Sequence, residues 1–580
     1  MLTLDDLHIR RIIVMAFTLF ITTTVKAQRP FVSSWITNGE GASCNTCIEV
    51  PVHPDEVYNY EVDIDYKEGE PFTADFTGLN SAFFWDGGVE DTVTIAIRGT
   101  FPRIFFNGTG DAGKLLEINQ WGDIEWSSME AAFSKCANME CEATDVPDLS
   151  AVTSLAYCFA GCTNLTKGLE DWDVSTIVDM NNLFLFASSF DGDISRWNVE
   201  KVENFTNFLN GALSFNQDIG QWDVSNATNT SLMFSNARSF NQDIDNWNIE
   251  SVINMAHMFS FATTFNQDIN SWDMSSVVDI TGLFSHAYSF DQDISQWDVS
   301  TLTSMHGVFQ GARAFNQDLS EWDVSSVTDM TDMFKGATLF NGNINNWDVS
   351  NLTSTFNMFS DASSFNQDIS QWDMSNVTLC MFMFQRATSF NADISNWDLS
   401  SAHALGLMFS GASNFDQDLG AWQFDGQRGI NHMFNNSGLS CENYSNTLIG
   451  WANNNNLRDS LKLGNVNGLN YNQIGSAARD QLLARGWIIE GDSFTESCLT
   501  STSEDQHKLS DVYPNPTLGN LNITGIREAT LTITNLQGQI LYTVDGQDHI
   551  DISSLDAGIY ILRIQGVDTS NVQTIKIVKL

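Results

Sequence analysis

Apolar and polar positions follow one fixed period through the middle of the chain. Tryptophan stands at Trp172, Trp197, Trp222, Trp247, Trp272, Trp297, Trp322, Trp347, Trp372, Trp397 and Trp422, and every interval is 25 residues. Three residues before each Trp stands Ile or Leu. Seven before stands Phe, from Phe190 to Phe415, with Leu165 in the first repeat. Ten before stands Ala, with Cys162 in the first. Two after stands an apolar residue, from Val174 to Phe424. A period of this size predicts a stack of like units, none of which can bury its apolar face alone.

Within one unit, Met330, Met333, Phe334 and Ala337 fall at i, i+3, i+4 and i+7, which predicts one face of a short helix. Ser325, Ser326 or Thr328 would cap it. The stretch from Asp293 to Val299 is strand-like, with Trp297 and Val299 on one face and Asp298 on the other. Neighbouring strands would form a parallel sheet about 4.8 Å apart. Six residues before Trp stands Asn at 216, 241, 266, 316, 341, 366 and 391. An amide repeated just inside a turn predicts a ladder that bonds the backbone of neighbouring repeats.

The repeated string F-N-x-D-I-x-x-W-D-V-S-x-V-x-x-M-x-x-M-F-x-x-A resembles the BspA-type leucine-rich-repeat surface proteins. The resemblance covers residues 126–437. It implies a leucine-rich-repeat-like solenoid with a parallel strand and a short helix per 25-residue turn. It also implies a cell-surface or secreted protein used in adhesion. The expected fold class is mixed α/β, with that solenoid flanked by an N-terminal β-rich cap over 28–125 and a small C-terminal β-sandwich.

The flanks read differently. Thr92 to Ile97 and Phe101 to Phe106 predict strands. The region 28–125 resembles the N-terminal region of the same proteins, an immunoglobulin-like or PKD-like sandwich. Residues 438–500 predict a closing cap with a helix from Ala477 to Arg485, which would keep the last turn from exposing its core. Cys441 and Cys498 bracket this cap and are expected to pair. Residues 501–510 are a polar linker. Residues 511–580 carry Tyr513-Pro514-Asn515-Pro516, then Gly558, Tyr560 and Lys579 near the end. They resemble the type IX secretion sorting domain of Bacteroidota, which implies the type IX machinery as a partner and a secreted or outer-membrane cell-surface location.

Export is also expected from residues 1–27, which read as a signal peptide. Arg10 and Arg11 precede an apolar core, and cleavage is placed between Ala27 and Gln28. No later stretch is long enough to span a membrane.

Charge changes the picture of the surface. Asp and Glu number 72 against 26 Lys and Arg, a net charge of −46 over 580 residues. Such a surface repels nucleic acid. Much of the acid sits in two columns. Four before Trp stand Asp193, Asp218, Asp243, Asp268, Asp293, Asp318, Asp368, Asp393 and Asp418. One after Trp stand Asp173, Asp223, Asp273, Asp298, Asp323, Asp348, Asp373 and Asp398. The first column is read as turn acceptors or as a calcium-bridging ladder, since carboxylate oxygens suit that ion. The second is expected to line a polar, acidic sheet face that binds an extracellular protein or glycan.

Catalytic patterns are weak. Asn107 to Lys114 satisfies a phosphate-loop spacing, but Leu115 replaces the hydroxyl that would hold magnesium, so a hairpin loop is expected. The nine His show no paired ligand spacing, which argues against zinc. Cys44 and Cys47 suggest a structural pair, and Cys136 and Cys162 are read as stacked core thiols in preference to a disulfide. The Trp column is read as core rather than as a glycan-stacking stripe. No enzyme activity and no resident cofactor are expected. The competing functions are a secreted enzyme-associated protein, a structural spacer and a calcium-stabilised glycan binder.

Overall fold

The computed structural model describes residues 28–37, 41, 43, 44, 46–86, 92–427, 429–496, 498, 512, 513, 517, 520–523, 529–535, 539–545, 549–566 and 572–579. The proposed signal peptide with Ala27, the linker 501–510, and Pro514, Asn515 and Pro516 lie outside the described residues. The chain forms two compact units, one ending at Cys498 and one beginning after it.

The first unit starts with β1 (Phe31–Ile36), β2 (Cys47–Val50), β3 (Asn59–Ile64), β4 (Phe76–Leu79), β5 (Phe83–Asp86), β6 (Thr92–Thr100), β7 (Leu115–Gln120) and β8 (Glu140–Cys141). Six of these form one sheet in the order β4-β3-β6-β1-β7-β8, while β2 pairs with β5. Alternation explains β6: Val93, Ile95 and Ile97 point inward and are at most 3% exposed. The sheet does not stop at residue 125. Strand β7 bonds in parallel to β8 inside the first repeat, and one apolar core runs from Phe31 to Ile489.

The repeats correct the expected fold class. Among the described residues they contain no helix and no broad parallel sheet, so the mixed α/β leucine-rich-repeat-like solenoid does not describe this chain. Among the described residues the only α-helices are α1 (Cys441–Asn453) and α2 (Gln473–Ala484), both beyond the last Trp repeat. Each repeat is a run of turns. Neighbouring repeats meet through single-residue parallel bridges seven residues after Trp, as in Asp179–Asn204 and Asp329–Ser354. The Trp segment itself, expected to be a strand, turns just before each Trp, as where the Trp297 N–H donates to the Ile294 carbonyl at 3.2 Å, and it makes no sheet pairing along most of the stack.

Backbone angles show why the helix fails. Ten and fourteen residues after Trp the chain turns left-handed, at Asp332 (φ 57°) and Gly336 (φ 71°) in one repeat and at His257 (φ 56°) and Phe261 (φ 58°) in another. No right-handed helix passes through such residues. The N–H groups of Met330, Asp332, Phe334 and Gly336 donate forward to the carbonyls of Ser354, Phe356, Met358 and Ser360 in the next repeat. Those of Met333, Lys335 and Ala337 close turns within the repeat. Met330, Met333, Phe334 and Ala337 are nonetheless all buried. A chain of turns thus buries the same spacing that a helix would. A non-glycine residue in the left-handed region costs on the order of 1–2 kcal/mol, which the inter-repeat bonds offset.

Two side-chain ladders hold the stack. Each Trp from Trp197 to Trp422 is buried, and its indole N–H donates to the Ile or Leu carbonyl of the preceding repeat, as in Trp322 to Ile294 at 3.0 Å. Trp172 has no such acceptor. Phe rings stack both within repeats (Phe284–Phe290, 3.9 Å) and between them (Phe259–Phe284, 5.7 Å). The amide column forms the expected ladder: Asn341 N–H donates to Asn316 Oδ1 at 2.7 Å, and Asn366 N–H to Asn341 Oδ1 at 2.8 Å.

The far end is covered by α1, β9 (Lys462–Asn465), β10 (Asn470–Tyr471), α2, β11 (Ile488–Glu490) and β12 (Ser493–Phe494). Ser440 caps α1 by accepting the Asn443 N–H. From α1, Trp451 continues the indole ladder by donating to the Leu419 carbonyl at 2.9 Å. The last repeat's open N–H groups also find acceptors here, His432 on Leu463 and Asn436 on Asn467. Cys441 and Cys498 form a disulfide across the cap.

The second unit holds β13 (Val512–Tyr513), β14 (Asn520–Ile523), β15 (Ala529–Thr534), β16 (Ile540–Asp545), β17 (His549–Asp551), β18 (Gly558–Gly566) and β19 (Val572–Lys579). They make two sheets, β13-β14-β17 and β16-β15-β18-β19. Leu521, Ile523 and Ile550 of one meet Leu531, Ile533, Leu562 and Ile577 of the other in one core.

Candidate functional site

The acidic columns lie on exposed turns rather than on a sheet face, which corrects the expected position of the binding surface. Each Asp is fixed by its own backbone. Four before Trp, Oδ1 of Asp193, Asp218, Asp243, Asp268, Asp293, Asp318, Asp368, Asp393 and Asp418 accepts the N–H two residues on, at 2.9–3.0 Å. One after Trp, Oδ1 of Asp173, Asp223, Asp273, Asp298, Asp323, Asp348, Asp373 and Asp398 does the same at 2.9–3.1 Å. These are side-chain turns in which a carboxylate closes a loop a peptide carbonyl would otherwise close.

The fold requires an acceptor here, not a charge. Asn198, Asn248 and Asn343 occupy the same columns in other repeats and accept the same N–H bond at 3.0–3.2 Å. At Asp173, Asp223, Asp323 and Asp348 the hydroxyl and then the backbone N–H of the Ser two residues on hold the carboxyl below the usual range. At Asp368 and Asp393 the backbone N–H leads. These carboxylates are ionised throughout the neutral range.

The two columns converge between repeats. A shallow cleft of about 590 Å³ is lined by Asp245, Asp268, Asp273 and Asp298, with the amides Asn270 and Gln296 on its walls. Such a site suits a cationic, hydrogen-bonding side chain.

The calcium reading needs several oxygens around one point. Among the described residues, one group brings three donor atoms within 4.8 Å of one another, Cys44, Cys47 and Asp86. Its two sulfurs are joined in a disulfide. The column carboxylates are instead distributed along the stack, each closing its own turn.

Other expected residues are placed as follows. Gln28 binds the N-terminal sheet, donating to the Asp123 carbonyl and accepting from Gly99 N–H. The phosphate-loop-like segment ends in Lys114, which is buried and donates to Ser43 Oγ and to the carbonyls of Cys44 and Cys47, 3.5 Å from Asp111. Cys136, Cys158 and Cys162 are buried free thiols whose proton affinity burial raises. Of the sorting motif, Tyr513 lies in β13, Gly558 pairs with Lys579, and Tyr560 donates its hydroxyl to the Asp556 carbonyl at 2.8 Å.

Sequence reading missed a strip of aromatic and basic residues thirteen to sixteen positions after Trp, where Phe261, His286, Tyr288 and Arg313 meet. Its signal was the replacement, at Phe261 and His286, of the Gly or Asn that several other repeats place in that column.

Five overlapping segments of the chain (127–244, 215–320, 262–369, 289–390 and 340–451) match the family model described as "Mycoplasma protein of unknown function, DUF285". Residues 511–579 match the model described as "Secretion system C-terminal sorting domain". No curated protein and no solved structure matches the chain. Among the described residues no helix is long and apolar enough to cross a membrane. The sorting domain directs the protein through the type IX system to the cell surface or beyond. The first match spans more than half of the chain, so this exported repeat protein belongs to the DUF285 family.

Proposed function

We propose that the protein is a surface binding module whose acidic columns form an extended face for a basic extracellular partner. The observation that carries this reading is the use of Asp where the turn accepts Asn equally well in geometry. Carboxylates of the same column in neighbouring repeats repel one another, by an amount that salt screens. The turns tolerate that repulsion in most repeats. None of the column carboxylates makes an ion pair among the described residues, so their charge is free to meet a partner.

Recurrence every 25 residues suits a partner with several cationic groups, because weak contacts add when they engage together. Binding of the exported chain to an immobilised panel of extracellular proteins tests the reading. At least one basic protein should bind, and its affinity should fall steeply as salt rises. Binding confined to acidic or neutral proteins, or insensitive to salt, would overturn it.

A further inference from the structure

A second surface has the opposite character. Over five consecutive repeats, residues 235–239, 260–264, 285–289, 310–314 and 335–339 contain no acid, in a chain with 72 of them. The same stretch carries Arg238, Arg313 and Lys335. Phe261 is 42% exposed, and its ring stacks on His286 at 4.4 Å with 8° between the planes. Tyr288 meets His286 edge-on, with ring centroids 6.1 Å apart, and the Arg313 guanidinium lies over Tyr288 at 4.5 Å. Lys335 pairs with Asp332 at 3.2 Å.

Phe261 and His286 both hold φ 58°, a conformation that Gly311 and Gly336 adopt without penalty in the next two repeats. The imidazole leans over Gly311, where a Cβ would come within 2.9 Å of its ring. Beyond it, Gly336 meets only the backbone of Gly311, so the aromatic wall ends in a step. Burial first, then Arg313 and Lys335, lower the proton affinity of His286, which keeps its ring neutral near neutral pH. Two stacked flat rings, a third edge-on and a guanidinium over it, on a strip whose own residues include no acid, point to a ligand with flat apolar faces and negative charge.

We propose that this strip binds an acidic polysaccharide, with sugar rings stacked on Phe261, His286 and Tyr288 and its carboxylates or sulfates on Arg313 and Lys335. The site does not rest on the acidic-face reading. The test measures binding of the exported chain to immobilised polygalacturonate, dextran sulfate and neutral dextran. Wild type should bind the two charged polymers and not dextran. The F261G/H286G variant, which removes the strain along with the rings, should bind at least tenfold more weakly with no fall in melting temperature, as should R313Q. Asp→Asn changes at Asp273, Asp298 and Asp323 should leave binding in place. Equal binding to dextran, undiminished binding by both strip variants, or no binding to either charged polymer would overturn the site. So would loss in R313Q with full retention in F261G/H286G, which would reduce it to charge attraction alone.

Discussion

The Trp column and the Asp column beside it share one period and adjoin in sequence, yet they are bonded in different directions. Trp322 donates to a carbonyl of the preceding repeat, whereas Asp323 accepts an N–H from its own turn. The first bond is between repeats and is buried. The second is local and exposed, and Asn makes it just as well at Asn198 and Asn248. A column that ties one repeat to the next serves the stack. A column that ties only to itself fixes the position of an exposed group, so its chemical identity is open to other uses.

This contrast orders the expected effects of substitution. Trp322→Ala should cost about 3–5 kcal/mol, because it leaves a large cavity and removes one of the two hydrogen bonds to the Ile294 carbonyl, which keeps only the Trp297 N–H. Chemical denaturation followed by circular dichroism would measure it, and a loss below about 1 kcal/mol would erase the distinction between the columns. Asn316→Ala should cost roughly 1–2 kcal/mol by depriving the Asn341 N–H of its acceptor. Asn316→Asp should cost less, since Asp291 already fills that role for Asn316 at 2.8 Å.

Asp323→Ala removes a turn acceptor at the surface and should cost about 0.5–1 kcal/mol, with Asp323→Asn nearly neutral. The pH sign follows from the lowered proton affinity of Asp323. A carboxyl held below its unfolded value gives its full contribution above about pH 4 and loses it as the pH falls through the depressed value. The stability gap between wild type and Asp323→Ala should therefore narrow in acid, and a gap that widens there would contradict the assigned bond. Smallest of all is the effect of calcium. With column oxygens spread one turn at a time, added calcium or chelator should leave the melting temperature unchanged, and an upward shift with calcium would restore the bridging ladder.

How much of this was legible in the sequence depended on what each column bonds to. The Asn ladder was readable because an amide repeated inside a turn needs a partner, and Asn316 and Asn341 supply one another. The Trp column was readable as core because it shares a buried face with Val324 and its equivalents. The helix was not, because Met330, Met333, Phe334 and Ala337 bury the same way in a run of turns. The discriminating residues were Gly, Asn, Asp and His ten and fourteen positions after Trp, where Gly307, Gly311 and Gly336 turn left-handed. Helix α1 escaped notice because Trp451 breaks the 25-residue period, standing on a helix that delivers its indole to the ladder from outside the repeat. The Phe261 and His286 strip was not legible, because periodicity reveals what recurs and this surface is made of exceptions to the repeat.

In the proposed function the exposed acid column is separable from the fold and carries recognition. Its most direct test replaces all eight Asp that follow Trp, from Asp173 to Asp398, with Asn and measures affinity for the basic protein selected from the panel alongside the melting temperature. Affinity should fall at least tenfold, with the melting temperature held within a few degrees. Full affinity in that variant, or a collapse of the fold, would contradict the proposed function.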